Sequence, residues 1–419
     1  MFFKNMSKRS IFERLRKAVS AESVSKNETP ALIYEIAEEI IAEAERNSFS
    51  GDLWEIMFAL TLVEDDNSLW RTFERSSVSL GSILPIAANN IWNQHKIIIG
   101  AKSIVNSEDE YETIRPLTNY FPANGASGPS TPALSDVMIV AKRIAEASAP
   151  RDMLSALTDF YELHGAGIYA LNYAFRWSGS DKKLVPLNDL DQLTLDALVG
   201  YEDQKRSLLA NTEAFLNGMP SNNVLLYGDS GTGKSSSVRA LLNEPTFIQR
   251  GLRIIELHKE QFADIPDLLD MIRGRNYKFI LFMDDLSFEE FEVEYKHLKA
   301  LIEGGLERRP QNVVIYATSN RRNLIREVWA DRRISSDDVH GWDTMQEKLS
   351  LADRFGITIW YGAVNKAQYM DIVKACIAEV GLSMNDAELE KLALRWEIDK
   401  GNFTGRAARQ FAYSLLSEG

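Results

Sequence analysis

One glycine-rich stretch of the sequence has the residue types and the spacing needed to hold phosphate groups. It reads GDSGTGKS, matches the pattern G-x-x-x-x-G-K-[ST], and lies between an apolar run, NVLLY, and a helical pattern, SSVRALLNE. Glycines let backbone N–H groups converge on phosphate oxygens, and the start of a helix adds partial positive charge. Lys234 is expected to reach the outer phosphates, and the Ser235 hydroxyl is expected to coordinate Mg²⁺. The predicted phosphate-binding residues are Gly228, Asp229, Ser230, Gly231, Thr232, Gly233, Lys234, Ser235 and Ser236.

Two adjacent carboxylates follow a second apolar run, in the stretch YKFILFMDDLSFEE. A buried strand that ends in paired carboxylates is typical of a metal site or of a group that activates a water. Ligands of parallel sheets bind outside the carboxyl ends of the strands, so Asp284 and Asp285 are expected beside the phosphate loop. Asp284 is predicted to hold Mg²⁺ through a water. The two motifs together predict a site for ATP and Mg²⁺.

The elements that must position these residues are strands that alternate with helices. Five apolar runs, NVLLY, LRIIEL, FILFM, NVVIYA and ITIWY, are separated by helical patterns, which is typical of a parallel sheet covered on both faces. Upstream, ALIYEIAEEIIAEAERN has apolar residues at helical spacing, and the pattern is helical again after about residue 363. We therefore expect an α/β fold with a mainly helical N-terminal region (1–186, with a loop near 120–136), a nucleotide-binding domain (187–365) and a helical lid (366–419).

Composition limits the class of protein. A chain of 419 residues suggests two or three domains, and no apolar run approaches the ~18 residues that span a bilayer. The net charge of −13 argues against nucleic acid as a partner, because such binding depends on Lys and Arg contacts to phosphates. The single cysteine, Cys376, is predicted to be a small core residue, and its isolation fits the reducing cytoplasm.

The ordered set of motifs resembles the AAA+ ATPases. The segment DALVGYEDQK resembles the part of that fold whose backbone lines the adenine pocket, here near Val199, Gly200 and Tyr201. The segment NVVIYATSNRR resembles the sensor-1 strand, which implies that Asn320 or Thr318 orients a water against the γ-phosphate. The resemblance also gives Asp285 the place of the catalytic acid.

Two further segments of the resemblance carry arginines. LSLADRFGITIWY resembles the segment that supplies an arginine finger, with Arg354 as the matching residue and Arg332 or Arg333 as rivals. NFTGRAARQFAYSLL resembles the lid helix that carries sensor 2, with Arg406 as the best match and Arg409 as the alternative. A guanidinium suits both roles, since it is always charged and can grip phosphate oxygens in a bidentate manner. From about residue 187 to the C-terminus, the motifs are similar to one bacterial family of AAA+ ATP-binding proteins described only as a domain of unknown function.

The sequence departs from the AAA+ pattern at two places. Asp285 stands where these ATPases have glutamate, and its carboxylate is expected to fall about 1 Å short, a misplacement that can cost on the order of 10²-fold in rate. Glu289 or Glu290 could serve instead. The pore-loop region, HKEQFADIPDLLDMIRGRNYK, has Phe262 without a following glycine, which argues against a polypeptide-threading motor.

Three functions follow from these features. The first is a slow Mg²⁺-dependent ATPase that remodels or loads a protein partner through the N-terminal region. The second is an ATP-dependent switch or scaffold that does not hydrolyse ATP. The third is a loader associated with nucleic acid, which the acidic charge disfavours. Homo-oligomerisation is compatible with all three.

Overall fold

The structure is a computed structural model that describes residues 9–20, 29–67, 69–71, 83–123, 131–187, 189–287, 293–303, 309–320, 354–400 and 403–418. The chain divides into two compact units, Met1–Asn172 and Tyr173–Gly419. None of the helices within the described ranges is both long enough and apolar enough to cross a membrane.

The first unit is helical. Its elements are α1 (Arg9–Ser20), α2 (Thr29–Asn47), α3 (Leu53–Glu64), α4 (Ile83–Ser107), a 3₁₀ helix (Asp109–Asn119), α5 (Pro132–Ala145), α6 (Pro150–His164) and the short α7 (Ile168–Leu171). Helix α3 is the centre of this unit, because every residue from Leu53 to Val63 is buried. The Asp52 side chain caps α3 by accepting from the Trp54 N–H at 3.1 Å.

A buried ionic group ties α3 to α4. Glu55 is 3% exposed, and its carboxylate contacts His95 Nε2 at 2.7 Å and accepts from Lys102 Nζ at 3.0 Å. Lys102 also donates to Asp52 at 2.6 Å. Burial alone would raise the pKa of Glu55, but the contacts with His95 and Lys102 hold that pKa below its ordinary value of 4.5. Glu55 is therefore a charged core residue with partners on both oxygens.

The second unit is built on a seven-stranded sheet. Its strands are β1 (Ala174–Ser178), β2 (Lys183–Pro186), β3 (Val224–Gly228), β4 (Leu252–Glu256), β5 (Lys278–Met283), β6 (Val313–Ser319) and β7 (Ile357–Tyr361), in the order β2-β1-β4-β5-β6-β3-β7. All neighbours are parallel except β1 and β2, which form an antiparallel hairpin at one edge. Strand β3, which leads into the glycine-rich loop, therefore lies between β6 and β7.

Helices connect the strands of this sheet. They are α8 (Glu202–Leu216), α9 (Lys234–Ala240), α10 (Pro245–Gln249), α11 (Ile265–Ile272) and α12 (Val293–Glu303), with 3₁₀ helices at Leu241–Asn243 and Lys259–Asp264. Alternate residues of the central strands, such as Leu226, Phe282 and Tyr316, join one core with α8 residues such as Leu208. Every residue of β6 is buried, as expected of a central strand covered on both faces.

Three helices form the lid: α13 (Lys366–Glu379), α14 (Asp386–Lys400) and α15 (Gly405–Glu418). They share a separate core that includes Tyr369, Leu389 and Phe411. Asn365 begins α13 with a capping box, since its side chain accepts from the Gln368 N–H at 2.9 Å and the Gln368 side chain accepts from the Asn365 N–H at 3.2 Å.

The structure confirms the expected α/β fold with a parallel sheet, a helical lid and a helical N-terminal region. The five predicted apolar runs are β3 to β7. Two details differ from expectation. The hairpin β1–β2 lies before residue 187, yet β1 pairs with β4, so the sheet begins earlier in the chain than predicted. Helix α5 begins at Pro132, inside the loop predicted near 120–136, because Thr131 caps it by accepting from the Leu134 N–H.

Candidate functional site

The glycine-rich loop begins at the carboxyl end of β3, where it approaches β7 very closely. Gly228 has φ +134°, and a Cβ on it would lie 2.0 Å from the Tyr361 carbonyl oxygen. Gly231 and Gly233 also have positive φ, of +79° and +94°. Side chains at these positions would clash with β7 or strain the turn, so the glycines fix the path of the loop.

Lys234 is the first residue of α9, and the glycine-rich loop surrounds its side chain. Its ammonium donates to the carbonyl oxygens of Gly228 at 2.9 Å and Asp229 at 2.6 Å, and to Asn320 Oδ1 at 3.2 Å. Burial lowers the pKa of Lys234, while Asp285, Asp229 and Asp284 act in the opposite direction. The loop thus surrounds one buried cation with its own carbonyl groups.

Asp284, at the end of β5, accepts hydrogen bonds from three neighbouring side chains. Its Oδ1 accepts from Ser235 Oγ at 2.5 Å and from Thr318 Oγ1 at 2.6 Å. Its Oδ2 accepts from Arg239 Nη2 at 3.1 Å. The structure therefore brings the loop serine and the strand-end aspartate together, although they are far apart in the sequence.

Asp285 is held at both its backbone and its side chain. Its φ is +52°, in the left-handed region, and its N–H donates to Thr318 Oγ1 at 2.8 Å. Its Oδ1 accepts from Asn320 Nδ2 at 2.6 Å. Asn320, at the end of β6, thus connects Lys234 to Asp285 through one amide group. Its amide O/N orientation agrees with both partners, because an ammonium can only donate and a carboxylate can only accept.

The donor set fits a magnesium ion that is shared with a phosphate ligand. Mg²⁺ prefers oxygen ligands, is usually bound by one or two carboxylates, and completes its shell with phosphate oxygens and waters. Ser235 Oγ and the Asp284 carboxylate are oxygens of this kind in direct contact with each other. They lie at the carboxyl end of the sheet, beside the loop whose N–H groups suit phosphate.

Tyr201 lies on the side of the site away from the acids. It has φ +61° and follows Gly200, whose φ is +84°, so the chain makes a sharp turn before α8. The Tyr201 hydroxyl donates to the Gly362 carbonyl oxygen at 2.7 Å, and its ring packs on Tyr361 with centroids 4.9 Å apart. Burial, with smaller effects of Tyr361 and Asp229, raises the pKa of Tyr201 to about 12. Tyr201 is therefore an uncharged side chain that lines the site.

The lid contacts the glycine-rich loop directly. The Arg406 N–H donates to the Gly231 carbonyl oxygen at 3.2 Å, and Arg406 Nη1 lies 3.5 Å from Ser230 Oγ. A Cβ at Gly231 would come within 3.0 Å of Arg406 Cβ. Lid, loop and strand ends together enclose a cleft of about 1210 Å³. Val199, Tyr201, Arg406 and Arg409 line it, as do the loop residues from Ser230 to Ser236 and both aspartates.

Arg354 lies near the amino ends of the strands, whereas the glycine-rich loop of the same chain lies at their carboxyl ends. It precedes the first residue of β7, and β7 is parallel to β3 with Ile357 opposite Val224. Five strand residues span roughly 17 Å. Arg354 is half-buried there and is not among the residues that line the cleft. The rival arginines Arg332 and Arg333, and the alternative acids Glu289 and Glu290, lie outside the described residues.

The cleft also contains residues that the sequence motifs did not indicate. Arg239 and Lys205 line it from α9 and α8. Arg239 could have been found from spacing, because it is four residues after Ser235 and so shares its helix face. From the lid, Cys376 and Glu379 line the same cleft. Burial raises the pKa of the Cys376 thiol, which keeps it a neutral, buried side chain of the lid core.

Comparison with known proteins places the second unit in a family. The family described as "Protein of unknown function (DUF815)" matches residues 170–419, more than half of the chain. The chain also resembles the solved structure of the Thermotoga maritima RuvB Holliday junction branch migration motor, with 21% identity and a TM-score of 0.37 over 52% of this chain and 63% of that chain. A variant of the same protein gives 22% identity and a TM-score of 0.37, with 52% and 64% of the two chains covered. The match thus spans less than two thirds of those chains.

Proposed function

Because the chain belongs to the DUF815 family and has an AAA+-type P-loop fold, we propose that it binds ATP with Mg²⁺ and hydrolyses it slowly. The observation that carries this proposal is the connected set Lys234–Asn320–Asp285, with Ser235 on Asp284 beside it. Binding, metal coordination and water activation each have a side chain in this set. All of these side chains face one cleft.

The roles of the chain's own residues follow from their contacts. Backbone N–H groups from Gly231 to Ser235 cradle phosphates, and Lys234 leaves its carbonyl partners to pair with the outer phosphates. Ser235 and Asp284 would hold Mg²⁺, which would neutralise phosphate charge. Asn320 orients the attacking water with Asp285, and Arg406 senses phosphate from the lid. Val199, Gly200 and Tyr201 bound the base side of the cleft.

A switch that binds ATP without hydrolysing it is the second candidate. One observation favours it: the short side chain of Asp285 is already engaged by Asn320 at 2.6 Å. An aspartate held in this way is poorly placed to deprotonate a water one methylene farther out. In both candidates the lid moves with phosphate occupancy, since Arg406 contacts the loop that holds the phosphates.

We also propose that the helical first unit binds a protein partner. Helices α5 and α6 are joined by the pairs Arg143–Asp159 and Asp136–His164, at 2.7 and 2.6 Å. The same two helices expose Ile139 (55%) and Leu163 (68%). Larger exposed apolar patches mark contact surfaces between proteins, and we propose that Ile139 and Leu163 contribute to such a surface.

Two variants test the enzymatic proposal. Lys234→Ala should weaken binding of a fluorescent ATP analogue by about tenfold or more, because a charged hydrogen-bond donor to phosphate is lost. Lys366→Ala, which removes an exposed lysine of the lid, is the matched control and should bind like wild type. Asp285→Asn should retain binding but lower steady-state phosphate release on the order of 10²-fold.

The outcomes separate the candidates. Wild type that binds the analogue but releases no more phosphate than Lys234→Ala, at any protein concentration, excludes the ATPase and leaves the switch. Equal binding by wild type and Lys234→Ala would overturn both. Salt-sensitive retention on DNA or RNA would instead favour a nucleic-acid-associated function.

A further inference from the structure

Arg239 donates to one carboxylate oxygen of Asp284, the aspartate assigned to the metal site. Its Nη2 lies 3.1 Å from Asp284 Oδ2, while the other oxygen of Asp284 is taken by the hydroxyls of Ser235 and Thr318. The guanidinium rests over the ring of Phe282, 5.8 Å from its centroid. A cation therefore already contacts one oxygen of the carboxylate that a hydrated metal ion would need.

A second acceptor for Arg239 lies within reach. Glu256, at the end of β4, has its Oε1 3.5 Å from the same Nη2 atom. Its Oε2 accepts from Arg176 of β1 at 2.9 and 3.1 Å. Strands β4 and β5 are neighbours in register, with Glu256 opposite Phe282, so the two carboxylates end side by side. Arg239 is thus placed between two acids.

We propose that Arg239 sets the magnesium affinity of the site by competing for Asp284, and that Glu256 is the acceptor to which it moves when Mg²⁺ binds. This inference rests on the proposed function. Two cations at one carboxylate repel each other, so Asp284 would release Arg239 when a hydrated metal ion binds beside it. The half-exposed Arg239 side chain can make this short shift, because its charge stays paired with Glu256 throughout. Arg239 is a positioning residue, since it acts through Asp284.

The size of the effect follows from the exposure of the pair. The side chains of Arg239 and Asp284 are 48% and 29% exposed, so solvent screens their attraction. Pairs of this kind contribute about 0.2–1 kcal/mol, equivalent to a factor of up to about five in an equilibrium constant. Removing Arg239 should therefore tighten Mg²⁺ binding several-fold and leave metal-independent nucleotide binding in place.

The test measures Mg²⁺ titrations of a fluorescent ADP analogue bound to the full chain. Arg239→Met should lower the Mg²⁺ concentration at half-effect by about two- to fivefold, while binding in EDTA stays within about twofold. Glu256→Gln should raise that concentration, because Asp284 is then the one carboxylate left beside Arg239 among the described residues. Arg206→Met removes an equal charge from an exposed pair on α8 and should behave as wild type.

A double variant separates this competition from a general change of charge. If Glu256 acts through Arg239, then Glu256→Gln should have no effect in the Arg239→Met background. An unchanged Mg²⁺ midpoint in Arg239→Met, or an undiminished Glu256→Gln effect in the double variant, would overturn the inference. Absence of analogue binding by wild type in both EDTA and Mg²⁺ would instead defeat the proposed function, so the two failures are distinguishable.

Discussion

Asp285 is the residue on which the proposed chemistry depends. Its left-handed backbone is a conformation that aspartate tolerates better than most side chains, and residues held in this way are frequent at functional sites. The Thr318 hydroxyl accepts from its N–H while donating to Asp284, so one buried hydroxyl orients both acids. The reach of the second acid is thus limited by side-chain length, because its backbone cannot move closer.

Lengthening this side chain should speed hydrolysis. Asp285→Glu extends the carboxylate by about 1 Å toward the phosphates, and we expect phosphate release to rise about tenfold or more. The measurement is steady-state phosphate release at saturating Mg²⁺·ATP, with Asp285→Asn as the inactive comparison. A rate equal to wild type, with intact ATP binding, would contradict the geometric explanation and direct attention to Glu289 or Glu290.

Sequence reasoning could propose the site residues whose spacing is local, and their roles stay predictions. The loop from Gly228 to Ser235 and the pair Asp284–Asp285 are contiguous patterns, so their residue types alone indicate phosphate and metal chemistry. The structure adds the distances between the atoms of these residues. The spacing of Arg239 from Ser235 places it on the same helix face, but its contact with Asp284 could not be predicted because the two residues are distant in the sequence.

Among the helices and strands, the buried strands were easier to predict from the sequence than the exposed ones. Strands β3 to β6 are nearly continuous apolar runs, since both of their faces are covered, and such runs are visible in the sequence. Strand β7, at the end of the strand order, is also an apolar run, although Thr358 and Trp360 are exposed. The hairpin was missed because its strands carry polar residues: β1 exposes Arg176, and β2 is a short edge strand with an exposed Lys183. Edge strands with charged side chains resemble loops in a pattern search.

The pairing of α3 with α4 through Glu55 should make the first unit sensitive to acid. The pKa of Glu55 is lowered in the folded protein, so its charge stabilises the fold above the ordinary value of 4.5, and this contribution is lost as the pH falls through the folded pKa. Glu55→Gln should cost about 3 kcal/mol at pH 7, because it removes the buried anion that contacts His95 and Lys102, and Lys102 keeps Asp52 as its other acceptor.

Calorimetric melting temperatures from pH 7 down to pH 3 check this expectation. The difference between wild type and Glu55→Gln should be largest near neutral pH and should shrink below about pH 4.5. Glu39→Gln, which removes a carboxylate from an exposed pair with Arg14, is the control and should change the melting temperature little. A constant difference across the whole range would exclude an ionised Glu55 as its cause.

For the whole molecule, the position of Arg354 bears on whether one chain can supply every residue of the proposed site. Arg354 precedes β7 at the amino end of the sheet, and the phosphate loop is at the carboxyl end. One chain therefore cannot bring its own Arg354 to its own phosphates without unfolding β7. If Arg354 acts in catalysis, it acts on a neighbour's ATP.

A mixing experiment tests this arrangement. Arg354→Ala should bind ATP like wild type but release phosphate about tenfold or more slowly. Lys234→Ala should release almost no phosphate, because its ATP binding is weakened and its charge on the phosphates is lost. Mixtures of the two should recover part of the wild-type rate, since some interfaces then join an intact loop to an intact Arg354. Unaltered activity of Arg354→Ala, or no recovery in assemblies shown to be mixed, would exclude action on a neighbour.

The strand order also dictates when the site can form during synthesis. Strand β3 pairs with β6 and β7 alone, and Gly228 packs against the Tyr361 carbonyl group. At typical rates of translation, Tyr361 emerges from the ribosome roughly ten seconds after Gly228. Both edges of this apolar strand are unpaired until β6 emerges, and the edge toward β7 stays open to wrong partners until Tyr361 follows. The first unit is complete well before that moment, so the nascent chain carries a finished helical unit next to a half-made sheet that needs protection from aggregation.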